Sequence, residues 1–100
     1  MSKHIILWQL SDNLSDEQKE KVKNDAKENL ESLKGKIPGL IDINVQTSKL
    51  KSSTADMMLN SSFESEQALK DYSVNPAHTA VADKFVRPFI KNRSCLDFEA

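Results

Sequence analysis

The segment KHIILWQL, residues 3–10, decides the fold, because it is apolar on both of its faces. Successive side chains of an extended strand point to opposite sides of the sheet, so this segment divides into two sets. One set is His4, Ile6, Trp8 and Leu10, and the other is Ile5, Leu7 and Gln9. Both sets are mostly apolar, which is typical of a short strand in the middle of a sheet that is covered on both sides. We therefore predict a central β-strand.

The charged segment that follows predicts a surface helix over residues 15–35. Ser15 and Gln18 match a capping box at its start, and Gly35 supplies a stop at its end. The remaining positions are mainly charged, so the helix lays only one narrow apolar stripe on the sheet. Four residues at helical spacing form that stripe: Val22, Ala26, Leu30 and Leu33.

Alternating hydrophobicity predicts three further strands, at residues 40–47, 55–63 and 94–99. A polar connection joins the first two of these strands, which should pair as a hairpin. In the last strand, Cys95 and Asp97 share one face. The apolar faces of the three strands are Ile41, Ile43 and Val45, then Ala55, Met57, Leu59 and Phe63, and finally Leu96 and Phe98.

The stretch SEQALKDYSVNPAH, residues 65–78, predicts two helices separated by a break. Tyr72 lies on the apolar side of the first helix. Asn75 and Pro76 end that helix and start a new one, because Asn is a good N-cap and Pro is favoured at the first helical position. Pro88 should kink or end the second helix. This second helix carries an apolar stripe of His78, Val81 or Ala82, Phe85 and Phe89.

The resulting order is β-α-β-β-α-α-β, the ferredoxin-like split β-α-β pattern of an α+β domain. It predicts one domain over residues 1–100, with a four-stranded antiparallel sheet that carries its helices on one face. The other face is then open, and Ile5 and Leu7 need a cover. A second copy can place its sheet against this one, so we expect a two-fold homodimer through the sheet faces, a dimeric α/β barrel. The alternative is an open sheet that faces water, which antiparallel sheets tolerate.

Composition narrows the classes of function. The net charge of −1 gives no basic surface for nucleic acid or anionic lipid, and no apolar run approaches the roughly 20 residues of a membrane helix. The first residues become polar too soon for a signal peptide, and the single cysteine, Cys95, has no internal partner, so we expect a cytoplasmic protein. RNA recognition modules share this order of elements, but they need exposed aromatic residues and a basic surface, and this sequence predicts neither.

Metal and cofactor sites are not expected from the sequence. The two histidines, His4 and His78, lack the ligand spacing of a zinc site. Gly35 and Gly39 are the only glycines, so no glycine-rich loop can cradle phosphates. Cys95 shares its strand face with acidic residues, which should raise the pKa of the thiol, and we interpret it as a small filler.

Four segments in order along the chain point to a family: KHIILWQL at 3–10, IPGLIDINV at 37–45, FESEQALKDYSVNPAH at 63–78 and DFE at 97–99. Together they resemble the stress-responsive dimeric α/β barrel family, often called Dabb. The strand-opening His, the I-P-G turn and the Phe-Glu-Ser…Tyr…Pro-Ala-His segment are the distinctive marks. The resemblance covers nearly all of the chain, and it implies the same ferredoxin-like fold and the same sheet-to-sheet dimer.

The resemblance also implies candidate catalytic residues. One plant branch of the family, olivetolic acid cyclase, closes a linear polyketide in a pocket between sheet and helices, with a strand His and a Tyr–His pair. These residues match His4, Tyr72 and His78. Asp97 matches a carboxylate near the catalytic His.

The same resemblance implies an apolar pocket wall drawn from sheet and helices. Val22 and Ala26 replace aromatic residues of that plant branch, and Trp8 is larger than the aliphatic residue usual there, so the pocket shape and the substrate should differ. The candidate ligand-binding residues are Ile6, Trp8, Val22, Ala26, Leu59 and, from the second predicted helix, Phe89.

His78 has the chemistry of a general base, since imidazole titrates near neutral pH and can take a proton from a carbon beside a carbonyl. In that role Asp97 would hold its tautomer, Tyr72 would donate a hydrogen bond to a developing enolate, and His4 would bind a polar end of the ligand. The alternative is structural, with these rings simply packed beneath the helix break. We predict a protein that binds a small hydrophobic molecule, and the alternative function is a cofactor-independent polyketide-type cyclase or monooxygenase.

Overall fold

Four strands form one antiparallel sheet in the order β2-β3-β1-β4 in the computed structural model, which describes all 100 residues. The chain folds as β-α-β-β-α-α-β, so the predicted ferredoxin-like fold is confirmed. No helix combines the length and the hydrophobicity that crossing a bilayer requires. The elements are β1 (Ser2–Leu10), α1 (Asp16–Glu31), β2 (Leu40–Gln46), β3 (Met57–Phe63), α2 (Glu66–Val74), α3 (Pro76–Phe85), a 3₁₀ turn (Arg87–Phe89) and β4 (Ile90–Glu99).

Strand β1 occupies an interior position, with β3 and β4 paired to its two edges, as its sequence predicts. Only one of its faces is covered within the chain. Leu7, on the other face, is 43% exposed. The helix-covered face of β1 is fully buried, with His4, Ile6, Trp8 and Leu10 all inside.

The predicted N-caps fix where helices α1 and α3 begin, whereas α1 ends at Glu31 with Ser32 as its C-cap and not at the expected stop, Gly35. Ser15 and Gln18 form the capping box of α1, in which each residue bonds the backbone of the other. Asn75 has two functions, because it ends α2 and its side chain accepts a hydrogen bond from the backbone N–H of Ala77 in α3. Pro76 then takes the first helical position. The two short helices therefore meet at a fixed break.

One prediction for strand β2 is wrong, because a β-bulge interrupts its pairing with β3. Leu40 lies opposite Phe63 and Asp42 lies opposite Ser62, so Ile41 is an extra residue between the two pairs. Ile41, expected on the buried face, is therefore 41% exposed. The bulge turns Leu40 into the core instead.

Other element boundaries also differ from the prediction. Strand β4 begins at Ile90 rather than at residue 94, because it pairs with β1 along nearly the whole length of that strand. Ala55 precedes β3, which begins at Met57. Phe89 lies in the 3₁₀ turn that follows α3 rather than in the helix, since Pro88 cannot continue a regular helical ladder.

The core lies between the sheet and the three helices. It includes the predicted stripe of α1 and the covered face of β3, and Phe63 is completely buried in it. Its other large members include Leu10, Leu30, Leu59 and Tyr72.

Gly39 lies where α2 approaches the turn before β2. Its φ of +80° is in the left-handed region, and a Cβ added there would lie 2.5 Å from the Cβ of Ala68. Gly35 has a similar φ of +85°, but nothing lies within 4 Å of an added Cβ. A comparison of alanine substitutions at the two positions therefore distinguishes the cost of backbone strain from the cost of a steric clash.

We predict that Gly39→Ala destabilises the protein more than Gly35→Ala does. Gly35→Ala should lower the free energy of unfolding by about 1–2 kcal/mol, the cost of a left-handed non-glycine residue. Gly39→Ala adds about 1–3 kcal/mol for overpacking against α2. Urea denaturation of both variants measures the difference, and equal losses would contradict the close approach of α2 to this turn.

Candidate functional site

A cavity of about 530 Å³ opens between helices α2 and α3 and strands β1 and β4. Its polar lining includes the four candidate catalytic residues, so the structure brings His4, Tyr72, His78 and Asp97 to one site. Its apolar lining is Ile6, Trp8, Leu69, Ala82, Val86 and Ile90.

Tyr72 and His78 face each other across the break between α2 and α3. Their ring centroids lie 4.0 Å apart and their planes are tilted by 30°. Phe63 supports the far side of Tyr72, with ring centroids 4.9 Å apart. The Tyr72 hydroxyl and the His78 Nδ1 atom are both buried, and neither has a hydrogen-bond partner within the protein. Because buried polar atoms are nearly always paired in proteins, these two atoms mark a place where a partner is missing.

Burial controls the protonation of this pair. It lowers the pKa of His78, and the charges of Arg87 and His4 lower it further, although the nearby backbone of Ser73 and Tyr72 offsets part of this shift. Burial raises the pKa of Tyr72, so its phenol keeps its proton. At neutral pH the site therefore presents a neutral imidazole beside a neutral phenol.

Asp97 does not hold the tautomer of His78, as the sequence analysis expected, because it pairs with His4. The two residues lie directly opposite each other in the β1–β4 ladder, and Asp97 Oδ1 is hydrogen-bonded to His4 Nδ1. The side chain of Asp97 is 48% exposed, whereas His4 is buried. Ser61 of β3 donates a hydrogen bond to the backbone carbonyl of His4 at 2.9 Å, which steadies β1 at this point.

Cys95 joins this pair on the cavity wall, where the sequence predicted only a small filler. It lies opposite Ile6 in the β1–β4 ladder. Its Sγ atom is 3.4 Å from Asp97 Oδ1 and 3.8 Å from His4 Nδ1. Partial burial raises the pKa of the thiol, and the hydrogen bond and charge of Asp97 raise it further, as the acidic strand face predicts. Without a bound cation the thiol is a poor nucleophile.

The candidate apolar residues divide into two groups. Ile6 and Trp8 line the cavity, and Trp8 forms part of the wall while leaving the space beside it open. The others lie elsewhere, since α1 packs on β2 and α3, away from the β4 edge of the sheet. The core contains Val22, Ala26 and Leu59, and Phe89 packs against it without lining the cavity.

Sequence reasoning missed four charged residues that line the cavity: Glu66, Lys70, Arg87 and Arg93. Arg87 pairs with Asp83 on the preceding turn of the chain. Arg93 has the same strand parity as Cys95 and Asp97, so an earlier start for β4 would have placed it on this face. The charged residues on the helices carry no such signal, because isolated charges there are typical of a solvated surface.

The cavity is part of a fold shared with solved structures of other proteins. A dimeric protein of unknown function with a ferredoxin-like fold from Bacteroides fragilis is 32% identical, with a TM-score of 0.91 over 99% of this chain and 95% of that one. A hydroxynitrile lyase from Passiflora edulis is 17% identical, with a TM-score of 0.72 over 97% and 90% of the chains. A putative antibiotic biosynthesis monooxygenase from Nitrosomonas europaea is 11% identical, with a TM-score of 0.76 over 100% and 98%. At the two lower identities the likeness is one of fold.

A comparison of the sequence with known families identifies the family of this chain. No curated protein matches the chain. The family described as "Stress responsive A/B Barrel Domain" matches residues 3–100, nearly the whole chain. The chain therefore belongs to the stress-responsive α/β barrel (Dabb) domain family.

Proposed function

We propose that this protein binds a small hydrophobic molecule in the cavity between the sheet and helices α2 and α3. The observation that carries the proposal is the cavity itself, whose volume of about 530 Å³ is within the range typical of small-molecule sites. An apolar floor formed by Ile6 and Trp8 meets the paired rings of Tyr72 and His78. Half of the residues that line the cavity are apolar, and the polar ones can fix the orientation of a ligand.

The unpaired polar atoms indicate what part of the ligand they meet. The Tyr72 hydroxyl can donate to a ligand oxygen, and the neutral imidazole of His78 can donate or accept through Nδ1, depending on its tautomer. A bound carbonyl or hydroxyl group would satisfy both atoms. The proposed ligand is therefore an apolar molecule that carries at least one oxygen substituent.

We predict that filling the cavity with Ala82→Leu weakens ligand binding. Ala82 is a buried lining residue, so a longer side chain occupies ligand space. The probe is 1-anilinonaphthalene-8-sulfonate, an apolar dye whose emission rises on binding, with Trp8 as the donor of energy transfer. If the added side chain imposes a steric cost of about 1–3 kcal/mol on the bound dye, the range known for overpacking, the dissociation constant should rise about 5- to 150-fold.

The control is Ala80→Leu, which makes the same change at an exposed position of the same helix. It should bind the dye as the unaltered protein does. Equal affinities for all three proteins would show that the dye binds outside the cavity, and absence of dye binding to the unaltered protein would argue against an apolar site.

A second candidate function is a cofactor-independent enzyme, a polyketide-type cyclase or a monooxygenase. The observation that favours it is the neutral imidazole of His78 beside the protonated phenol of Tyr72. His78 would act as general base and Tyr72 as hydrogen-bond donor to a developing enolate, while His4, oriented by Asp97, would bind a polar end of the substrate. Related structures include a lyase and a putative monooxygenase, but fold alone does not determine chemistry.

We predict that His78 makes stability fall as the pH decreases from about 7 to 5. The pKa of His78 is lower in the folded state than in the unfolded chain, so the unfolded state binds more protons below about pH 6.5. The free energy of unfolding should therefore decline in this window for the unaltered protein and decline less for His78→Gln. Urea denaturation at a series of pH values measures both slopes.

Tyr72→Phe is the control for this measurement, because it keeps the imidazole and should keep the slope. Five carboxyl groups also have lowered pKa values, but their effect on stability begins only below about pH 5. They are Asp12, Glu31, Asp42, Asp56 and Glu99. An unchanged slope in His78→Gln would mean that His78 is not held neutral by its surroundings, which would weaken the case for a general base.

We also propose that two copies associate through the open faces of their sheets. The open face of β1 and β4 carries Leu7, Leu96 and Phe98, which are 43%, 64% and 43% exposed. Lys3 lies opposite Phe98 and Ile5 opposite Leu96, so these residues form one continuous surface. The related Bacteroides fragilis protein is dimeric, which supports the association of two copies. A cytoplasmic location remains a prediction from the unpaired cysteine.

We predict that Leu96→Glu converts a dimer into a monomer. Burying a carboxylate in an apolar interface without a partner is strongly unfavourable. Native mass spectrometry or sedimentation measures the oligomeric state directly. The control is Leu50→Glu in the loop between β2 and β3, where the leucine is 77% exposed, and this variant should remain dimeric. A dimer that survives Leu96→Glu would exclude the open sheet face as the interface.

A further inference from the structure

Three side chains with metal-ligating atoms meet on the cavity wall where β1 pairs with β4. They are His4, Cys95 and Asp97, and their ligand atoms lie within 4.8 Å of one another. Imidazole nitrogen, thiolate sulfur and carboxylate oxygen are the three kinds of protein ligand that zinc takes. Sequence spacing does not reveal this group, because its members come from opposite ends of the chain and meet only through strand pairing.

The distances fit tetrahedral coordination after one small adjustment. With metal–ligand bonds of about 2.0–2.3 Å, tetrahedral ligand atoms lie about 3.3–3.6 Å apart. The Sγ atom of Cys95 is 3.4 Å from Asp97 Oδ1 and 3.8 Å from His4 Nδ1. The His4–Asp97 contact is a direct hydrogen bond, so these two atoms must separate for an ion to enter. Asp97 has the freedom to move, since its side chain is half exposed at the edge of the sheet.

The surroundings of His4 hold its ring in a fixed position. The ring is buried and makes edge-on contacts with Phe63 and Tyr72, whose centroids lie 6.5 and 6.2 Å away. Ser61 fixes the backbone of His4 through its hydrogen bond to the carbonyl. An apolar shell of this kind limits the access of solvent to a metal site.

The charges of the group also suit a divalent cation. A thiolate at Cys95 and a carboxylate at Asp97 supply two negative charges, while His4 binds metal as the neutral imidazole.

We propose that His4, Cys95 and Asp97 form a zinc-binding site on the cavity wall, with the fourth coordination position open to the cavity. Three protein ligands with one open position are the pattern of zinc sites that bind water or a substrate, whereas structural zinc sites use four protein ligands. The inference does not depend on the binding of a hydrophobic molecule, because the three ligands are complete without one.

The test uses the full chain, stripped of metal with a chelator and then titrated with Co²⁺, which takes the place of zinc and absorbs light. The expected result is one Co²⁺ per chain, with a thiolate-to-cobalt charge-transfer band in the near ultraviolet and the intense visible bands of tetrahedral cobalt. Added Zn²⁺ should displace the cobalt and abolish both signals.

Variants then assign the ligands. Cys95→Ala should remove the charge-transfer band and weaken zinc binding by more than the roughly 10- to 100-fold that the loss of an outer partner costs. Asp97→Asn should weaken zinc binding while keeping the charge-transfer band at saturation. The matched control is Glu99→Gln, which removes the next carboxylate on the same face of β4 and should bind zinc normally. Cys95→Ser provides a second version of the cysteine variant, and circular dichroism verifies that each variant is folded.

Three results would overturn the proposal. The first is the absence of micromolar Zn²⁺ binding to the stripped protein. The second is zinc binding that survives both cysteine variants in folded protein. The third is an equal effect of Asp97→Asn and Glu99→Gln, which would reduce the site to an exposed thiol among surface carboxylates.

Discussion

The pairing of β1 with its two neighbours is the interaction on which the rest of this structure depends. Because β1 lies inside the sheet, its register with β4 determines which side chains share the cavity wall. That register sets Asp97 opposite His4 and Cys95 opposite Ile6. A slip of one residue would turn every one of these side chains to the other face of the sheet, so the site exists only in this register.

The break between α2 and α3 supplies the other half of the site. Asn75 ends one helix and caps the next, and Pro76 sets the first turn of the second helix. This local chemistry brings Tyr72 and His78 into ring contact although they lie on different helices. The helix layer and the sheet layer therefore contribute separate pairs of residues, and the cavity lies between the two pairs.

Periodicity in the sequence was sufficient to predict the order of elements, the caps and the central position of β1. It could not predict features that arise from pairing between distant segments. The bulge at Ile41 and the early start of β4 are set by the partner strand. The true partner of Asp97 is likewise fixed by cross-strand register, which alternation alone does not determine.

The candidate site likewise contains residues that the local sequence predicts and residues that only the pairing of distant segments brings together. The residues of the helix break were recognisable, because Asn75, Pro76 and the two rings are close in sequence. Val22 and Ala26 were assigned to the pocket by resemblance, but α1 packs over the β2 side of the sheet and leaves them in the core. The proximity of Cys95 to His4 depends on the two ends of the chain lying side by side, which no local pattern reports.

Strand β4 is the outermost strand beside the cavity, and every residue in it after Ile90 is exposed. Its free edge presents unpaired backbone groups, which in other proteins template the growth of aggregates. The charges of Lys91, Arg93 and Asp97 discourage a foreign strand from adding to this edge. Arg93 and Asp97 also line the cavity. Substitutions that adapt the cavity to a more apolar ligand would therefore also remove charges that protect the protein from aggregation.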